Sequence, residues 1–384
     1  MKSLEILGPF LRLGLTAFGG PAAHIAMMED EFVTRRGWMT QEHFLDLVGA
    51  TNLIPGPNST EMVMHLGYER AGLPGLFLAG VGFVVPAVVS TAVLAAFYAV
   101  YGSLPQAQPL LDGIKPVVLV IIAAALYKLG RQALRGSMLT LLAVAVLAAN
   151  LAGLPEIPAL FGGGLLGMLA RQPWKSKSRP LVHTATLLTL FSPRRAWAAP
   201  LAAGGIGAAK VGLTSLFLIF FKIGAVLYGS GYVLFAFLEG ELVRDRGWIT
   251  QAQLLDAVAI GQFTPGPVLS SATFIGYQIA GWQGAVVATV GIFLPSFFFV
   301  LLLQKLVRQM RQSSWLSAFL DGVNAAALAL MASVAIKMGQ QALATPMSWL
   351  VAGLAALAIL RFRINVAYVI LAGAGFAWVW AAFL

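Results

Sequence analysis

Two Pro-Gly-Pro motifs, at residues 55–57 and 265–267, have the clearest chemical consequence in this sequence. Each interrupts an apolar stretch, because proline lacks an amide donor and its ring clashes with the preceding helical turn. A new helix that begins at the second proline points unpaired amides and its positive dipole end at the break. Helix ends of this kind bind anions. The motifs therefore predict two anion-binding breaks.

Polar and small residues beside the breaks extend this prediction. The amides of residues 58–61 are expected to lack helical partners, and nearby hydroxyl and amide side chains add donors. Phe-Gly-Gly-Pro at 18–21, matched by Tyr-Gly-Ser-Gly at 228–231, either opens the backbone to a substrate or allows close helix packing. Both uses remain open. The predicted substrate-binding residues are Gly19, Gly20, Pro21, Pro55, Gly56, Pro57, Asn58, Ser59, Thr60, Gly229, Ser230, Thr264, Gly266, Ser270 and Ser271.

Ionisable side chains in or beside apolar stretches are candidate charge partners, because such groups mark functional sites in membranes. Arg12 and Lys222 either neutralise an anion or extend to the interface. Arg36 is expected to bridge to nearby glutamates in a solvated loop. Asp46 and Asp256 either carry a proton or pair with a cation, and a helix-surface ion pair is favoured. The five candidates are Arg12, Lys222, Arg36, Asp46 and Asp256.

The elements that position these residues are membrane helices. The chain is 59% hydrophobic and 10% charged, whereas a soluble domain carries about 25% charged residues. Its mean hydropathy is +0.83. Apolar runs long enough for ~30 Å of hydrocarbon recur, without the period-two alternation of a β-barrel. A soluble bundle is excluded because the runs leave no polar faces. The sequence predicts an all-α polytopic membrane protein.

Composition also excludes several kinds of chemistry. The absence of cysteine rules out thiolate metal sites, iron–sulfur clusters and disulfides. No Walker A motif occurs, so this chain is not expected to consume ATP. The chain has a net charge of +10, and its basic residues lie in short loops between apolar stretches. This distribution is typical of the positive-inside pattern of membrane proteins rather than of nucleic-acid binding. No catalytic set appears among four histidines. We expect no enzyme activity, metal or cofactor, and no cleaved signal peptide.

The sequence is internally duplicated. Arg-Gly-Trp-Met-Thr-Gln at 36–41 returns as Arg-Gly-Trp-Ile-Thr-Gln at 246–251, and the Pro-Gly-Pro motif returns at the same spacing. Shared leucine and alanine alone would not reproduce both motifs. We predict a first transmembrane repeat at 1–170, a cytoplasmic basic linker at 171–210, and a second repeat at 211–384. Within the linker, residues 181–191 form either an interfacial helix or, as favoured, part of a plain tether.

Loop charges predict that the two repeats have opposite orientations. Residues 102–109 carry no charge, whereas their counterparts include Lys305, Arg308 and Arg311. Conversely, Arg131 and Arg135 correspond to the uncharged segment 340–345. Lysine and arginine near span ends mark the cytoplasmic side. The expected architecture is two inverted-topology repeats, each of about five spanning helices plus a helix pair broken at Pro-Gly-Pro. The C-terminus is expected in the periplasm.

Each broken pair is interpreted as a re-entrant hairpin. Thr40 is a predicted N-cap, and the helix after it is stopped at Pro55. Arg70 marks the inside after the first break, whereas residues 280–284 are uncharged. A single proline-kinked spanning helix is the alternative. His24 has no counterpart, since Leu234 stands at its position, and is expected to be a packed or surface residue.

The order of motifs resembles the chromate ion transporter family in its long-chain form with two fused repeats. Phe-Gly-Gly-Pro at 18–21, Arg-Arg-Gly-Trp at 35–38, Ile-Pro-Gly-Pro-Asn-Ser-Thr at 54–60 and Gly-Tyr at 67–68 carry the resemblance, which covers nearly the whole chain. The second repeat departs from Phe-Gly-Gly-Pro, so unequal halves are expected. The resemblance places the family's characteristic residues at Phe18, Gly19, Gly20, Pro21, His24, Arg36, Trp38, Pro55, Gly56 and Pro57.

This resemblance implies a secondary transporter that exports chromate across the bacterial inner membrane by alternating access and confers chromate resistance. Sulfate or another oxyanion is an alternative cargo, and a passive anion channel or a lipid-linked membrane enzyme is an alternative activity. The expected partners are the oxyanion and the lipid bilayer, with no nucleic acid; a homodimer stays open. The membrane potential contributes ~2.3 kcal/mol per charge per 100 mV to anion expulsion.

Overall fold

The computed structural model describes residues 2–18, 20–102, 104, 107–170, 211–228, 231–310, 314–362 and 364–383. The predicted linker, 171–210, and the predicted site residues Gly19, Gly229 and Ser230 lie outside this part of the chain. The described residues form helices, with π-helical segments at Glu29–Arg35, Glu239–Arg244 and Leu357–Arg361 and 3-10 turns at Gly231–Val233 and Val268–Ser270.

The α-helices follow the duplicated sequence in two sets of seven among the described residues. Those of the first repeat are α1 (Lys2–Thr16), α2 (Pro21–Met28), α3 (Gln41–Thr51), α4 (Asn58–Tyr101), α5 (Gln108–Ala133), α6 (Ser137–Leu151) and α7 (Glu156–Ala170). Those of the second are α8 (Leu213–Val226), α9 (Leu234–Leu238), α10 (Gln251–Phe263), α11 (Ser271–Met310), α12 (Ser314–Ala342), α13 (Pro346–Ala356) and α14 (Val366–Phe383).

Helix length and composition confirm an all-α polytopic membrane protein. Five helical stretches are long and apolar enough to cross a membrane, and four shorter apolar helices accompany them. No strand occurs among the described residues. The five candidate spans are Asn58–Tyr101, Gln108–Ala133, Val268–Leu302, Trp315–Ala342 and Val366–Phe383.

Helices α4 and α11 each fold back on themselves. The dihedral angles leave the helical region at Ala71 and Gly72, and again at Ala280 and Gly281. The hydroxyls of Thr273 and Thr289 lie 2.7 Å apart although sixteen residues separate them, a distance of ~24 Å in a straight helix. Each helix therefore consists of two antiparallel arms, and α4 has a first arm at 58–70 and a second at 73–101.

The first Pro-Gly-Pro break is the tip of a re-entrant hairpin. His43 at the start of α3 pairs with Glu69 at the end of the first arm, with Nε2 3.4 Å from Oε2. The Arg70 guanidinium lies 5.2 Å from the centre of the Trp38 ring, immediately before α3. The chain thus returns to the side from which it entered. The re-entrant interpretation is correct here, and the single kinked helix is wrong.

Equivalent helices of the two repeats run in opposite directions. A methyl group built on Gly130 of α5 would lie 3.5 Å from Leu328 of α12, and one built on Gly339 would lie 3.5 Å from Leu119. Residue 130 of α5 thus lies beside residue 328 of α12, and residue 119 lies beside residue 339, so the two helices are antiparallel. Helices α5 and α12 are equivalent in the duplication, so their antiparallel packing inverts one repeat relative to the other.

Candidate functional site

The breaks of the two repeats meet through a pair of exchanged backbone hydrogen bonds. The Gly56 amide donates to the Leu227 carbonyl at 2.6 Å, and the Gly266 amide donates to the Ala17 carbonyl at 2.8 Å. Leu227 and Ala17 each stand just before the glycine-rich interruption of their own repeat. Each Pro-Gly-Pro break therefore contacts the end of the helix that precedes the glycine-rich segment of the other repeat. Both glycine amides hold the repeats together and are not available to a substrate.

The first break offers fewer amides than the sequence predicts. The Thr60 and Glu61 amides donate to the Pro57 carbonyl, at 2.8 and 3.1 Å. The amides of Asn58 and Ser59 have no backbone partner among the described residues. The expectation of four unpaired amides is therefore wrong for two of them, because Pro57 is an N-cap whose carbonyl accepts from the first helical turn.

A cavity of about 970 Å³ leads to this break. Asn52 and Asn58 line it at the break, and the Asn58 side-chain nitrogen, Nδ2, donates to the Asn52 side-chain oxygen, Oδ1, at 2.5 Å. Pro21 lines it from the neighbouring interruption, and Tyr232 from the second repeat. Gly20, with φ 83°, precedes Pro21 and turns the chain into α2. The break therefore borders an accessible space.

Two exposed cations line the same cavity further from the break. Lys128 lies in the last turns of α5, and Arg135 lies just beyond its end. Asp321 of α12 lines the cavity as well. Because Lys128 lies near the end of its helix, we expect its side chain to extend to the membrane interface. Its side chain is exposed, as this expectation requires. The cavity thus connects a rim with two cations to a helix N-terminus, which is suited to attracting and holding an anion.

The predicted hydroxyl donors point away from the cavity. Ser59 and Thr60 are buried and do not line it. Thr264 contacts Thr91 of α4 at 3.3 Å between their hydroxyl oxygens and lies 3.4 Å from the Ser270 hydroxyl. The Ser271 hydroxyl donates to the Val268 carbonyl at 2.9 Å. The hydroxyls of Thr264, Ser270 and Ser271 thus have partners within the protein, whereas that of Thr60 has none among the described residues. That these hydroxyls bind substrate stays a prediction. The predicted site residues Pro55, Pro57 and Gly266 are also buried.

Three of the five candidate charge partners do not line the cavity: two are paired with glutamates and the third is exposed. Arg36 pairs with Glu31 at 2.8 Å, as the sequence indicates. Lys222 pairs with Glu241 at 2.5 Å, so it is not a free cation for an anion. Arg12 is exposed and does not line the cavity. The Lys222 ammonium group is thus paired with a carboxylate in this structure, and its two predicted roles, neutralising an anion or extending to the interface, stay predictions.

The two matched aspartates have different environments. Asp256 is buried and accepts a hydrogen bond from the Tyr98 hydroxyl of the first repeat at 2.6 Å. The favoured helix-surface ion pair is wrong for this residue, because α10 is covered by α4 and α5. Asp46 is exposed on α3.

Two buried ionisable groups lie close to the break. His24 packs edge-on against Phe83, and its Nε2 lies 3.1 Å from the Ala17 carbonyl oxygen, as expected for a packed residue. Glu61 was singled out by the sequence only for its amide. Its side chain is fully buried, and neither oxygen has a hydrogen-bond partner among the described residues. The available signal was an acidic residue in an apolar run four positions after Pro57. Within the described chain, no cluster of three metal-ligating side chains occurs.

Comparison with known proteins identifies close relatives. The family model described as "Chromate transporter" matches residues 4–168 and 214–378. The chain is 32% identical over 390 residues to the "Chromate transport protein" of Pseudomonas aeruginosa, covering 98% of this chain and 92% of that protein. It is 31% identical over 370 residues to the "Chromate transport protein" of Cupriavidus metallidurans, covering 95% and 90%. The "Probable chromate transport protein" of Synechococcus elongatus is 31% identical over 340 residues, covering 87% and 84%. No solved structure matches.

Proposed function

The chain belongs to the chromate transporter family, and on that premise we propose that it is a secondary transporter that exports chromate, or a similar oxyanion such as sulfate, by alternating access. Export from the bacterial cytoplasm across the inner membrane would confer chromate resistance. The observation that carries this proposal is the cavity of about 970 Å³, which joins two cations to the amide end of the first break.

The charges around the cavity support an opening toward the cytoplasm. Arg131 and Arg135 lie beside Lys128 at the end of α5, and such residues collect on the cytoplasmic side of membrane proteins. An anion entering there would pass the cationic rim before reaching Asn52 and Asn58. By the same rule the last helix, α14, ends on the periplasmic side.

The opposite side of the break is closed by contacts between the repeats. The second arm of α4 leaves the side of Arg70 and carries Thr91, Ala95 and Tyr98 toward the other end of the molecule. Thr91 contacts Thr264, the Ala95 carbonyl accepts from Gln278 at 3.2 Å, and Tyr98 donates to Asp256. Alternating access requires these bonds to break as the cavity closes. A transporter that opens on one side at a time needs such a seal.

The energy for export comes from the membrane potential in this proposal. A dianion leaving a cell that is negative inside gains ~4.6 kcal/mol per 100 mV, twice the value for one charge. No ATP site is needed. The site balances the anion with helix dipole, amide donors and two rim cations, so it holds the anion without a permanent buried cation.

Accumulation of labelled chromate in everted membrane vesicles tests the proposal. Vesicles containing the protein should accumulate chromate when the potential is positive inside, and control vesicles without it should not. Collapse of the potential should abolish accumulation. Competition by sulfate ranks the two cargoes. Absence of accumulation under both a potential and a pH gradient would contradict chromate transport.

Access to the break from one side at a time distinguishes a carrier from a channel. Because the sequence contains no cysteine, a single introduced thiol reports its own accessibility. Asn58→Cys should react with a membrane-impermeant maleimide from the cytoplasmic side, and chromate should protect it. Thr264→Cys, within the seal, is the control and should stay unreacted from that side. Simultaneous labelling of Asn58→Cys from both sides would favour a passive anion channel.

A further inference from the structure

Glu61 is a carboxyl group in an unusual position. It is the fourth residue of the first arm of α4, directly after the Pro-Gly-Pro break, and is fully buried. Neither side-chain oxygen has a hydrogen-bond partner among the described residues, and no cation there pairs with it. Buried carboxyl groups are ordinarily hydrogen-bonded or paired with a cation. An exception at the centre of a transporter calls for a functional explanation.

The carboxyl group lies where the two repeats meet. A side chain added at Gly56 would collide with Glu61 Oε1 and would lie 2.7 Å from the Ser296 hydroxyl oxygen. Ser296 belongs to the second arm of α11, and its hydroxyl is also buried without a partner. One carboxyl and one hydroxyl from different repeats therefore lie side by side against the first break.

The titratable neighbours of Glu61 are few. Tyr228 of the second repeat follows Leu227, whose carbonyl accepts from the Gly56 amide, and so lies near the same break. His65 lies one turn further along the same arm and is buried. His24 of α2 is held near the Ala17 carbonyl. On the other packed elements, Asp46 of α3 and Arg12 of α1 are exposed.

These surroundings determine the charge of Glu61 in this state. An ionised carboxylate would lose its hydration without a hydrogen bond or cation to replace it, and that loss amounts to several kcal/mol. Glu61 therefore holds a proton while the cavity is open toward Lys128 and Arg135. In another conformation, water or a donor that reaches the carboxyl group would release that proton.

The carboxyl group and the anion path are close enough to influence each other. Asn58, which lines the cavity, precedes Glu61 by three positions on one helical arm, and residues at this spacing are neighbours on a helix surface. A dianion at the break would be repelled by an ionised Glu61 and tolerated by a protonated one. Proton binding and anion binding consequently favour each other, and the coupling is reciprocal.

We propose that Glu61, at the contact of the first break with Ser296, is the proton-binding site of the transport cycle, so that one proton crosses the membrane together with each oxyanion. The proposal rests on the proposed function. The carboxylate takes up a proton on the side where the anion enters and releases it on the side where the anion leaves, with no other bond made or broken. A dianion with one proton still carries one negative charge outward, so the potential continues to favour export.

Proton movement with chromate in proteoliposomes tests the proposal. Purified full-length protein is reconstituted at alkaline pH, where chromate is the dianion, with the potential clamped by potassium and valinomycin. An inward gradient of labelled chromate should acidify the interior in proportion to chromate uptake. Glu61→Gln should lose this acidification down to the level of protein-free liposomes, yet should retain exchange of internal for external chromate. Glu61→Asp should restore part of the coupled movement.

The second repeat supplies a matched control. Ser271 stands at the position equivalent to Glu61, and Ser271→Ala should acidify the interior like the wild type. Chromate uptake by the wild type without proton movement would overturn the proposal while leaving the proposed function intact, whether or not any variant folds. Proton coupling in Glu61→Gln, or loss of its exchange in a folded protein, would also overturn it. If wild-type liposomes take up no chromate, both proposals fail.

Discussion

The two Pro-Gly-Pro breaks make the same inter-repeat hydrogen bond but present different side chains. After the first break stand Asn58, at the cavity, and the buried Glu61. The equivalent positions after the second break are Val268, which is buried, and Ser271, whose hydroxyl is bonded to the backbone. The backbone of the duplicated unit thus serves assembly in both repeats. Polar groups that could meet an anion and a proton remain at one break only.

The segments around the two Arg-Gly-Trp motifs differ in the opposite sense. In the first repeat, Arg36 and Glu31 form a partly exposed pair. In the second, Arg246 and Glu241 form the equivalent pair at 2.5 Å. Two further pairs lie beside it: Arg244 donates two hydrogen bonds to Glu156 of α7 in the first repeat, at 2.9 and 3.0 Å, and Lys337 pairs with Glu239 at 3.0 Å. The second motif is therefore surrounded by more ion pairs than the first, and one of them joins it to the first repeat. We infer a division in which the first repeat supplies the asparagines and the rim cations of the cavity, whereas the ion pairs around the second motif anchor the repeats to each other.

The largest effect is expected from Gly56→Leu, which should destroy the function of the first Pro-Gly-Pro break. Gly56 has φ 140°, and a side chain there meets Glu61 and Ser296; backbone strain alone amounts to about 1–3 kcal/mol. Chromate uptake should be abolished while the protein still inserts into the membrane, as measured by transport and membrane fractionation. Gly266→Ala is the comparison, and should retain more activity because it leaves the Glu61 site intact. Normal transport by Gly56→Leu would show that the first break is only structural.

The next largest effect is expected from exchanging the residues at equivalent positions of the two breaks, which should change chromate affinity at the first break only. Asn58→Val removes the cavity donor, and losing a hydrogen bond to a charged ligand corresponds to about 1.5–3 kcal/mol, or roughly a tenfold to hundredfold weaker chromate affinity. Val268→Asn in the second break should leave affinity unchanged. Competition binding to purified protein measures both. Equal losses in the two variants would mean that the breaks contribute equally.

The ion pair between Glu156 of α7 and Arg244 of the second repeat should contribute to the stability of the protein. Glu156→Gln leaves the Arg244 guanidinium without its carboxylate, and breaking a buried pair costs about 3–5 kcal/mol, less here because the guanidinium is partly exposed. The variant should unfold at a lower temperature in detergent. Glu31→Gln, in the first repeat, should change stability by less than about 1 kcal/mol. A larger loss in Glu31→Gln would reverse the proposed division.

The smallest effect is expected at the rim of the cavity. Lys128→Gln removes one attracting charge, so KM for chromate should rise a few-fold at low salt and the difference should shrink as salt screens the rim over about 10 Å. The equivalent lysine, Lys337, is paired with Glu239. Lys337→Gln should lower thermal stability with little effect on KM. A salt-independent KM in the wild type would argue against electrostatic attraction.

Interactions that depend on neighbouring residues were predictable from the sequence. The Arg36–Glu31 pair spans five positions, and the Thr40 hydroxyl accepts from the His43 amide as an N-cap. The re-entrant hairpin followed from the proline break and the charge of Arg70. The contacts that the sequence did not reveal involve partners distant in the chain. Asp256 meets Tyr98 across 158 positions, and Lys222 meets Glu241 on a different helix, which no local spacing reveals.

The sequence by itself determined the membrane helices, the duplication and the places where helices must break, because hydropathy and the missing proline amide act locally. Only the tertiary structure decided which polar groups at the breaks stay available. It bonds the Gly56 and Gly266 amides to the opposite repeat and turns Thr264 and Ser270 toward each other. It also leaves the Glu61 carboxyl unpaired. The reason is that a buried donor or acceptor bonds to whichever group packing places beside it, and in an inverted duplication that group belongs to the other half.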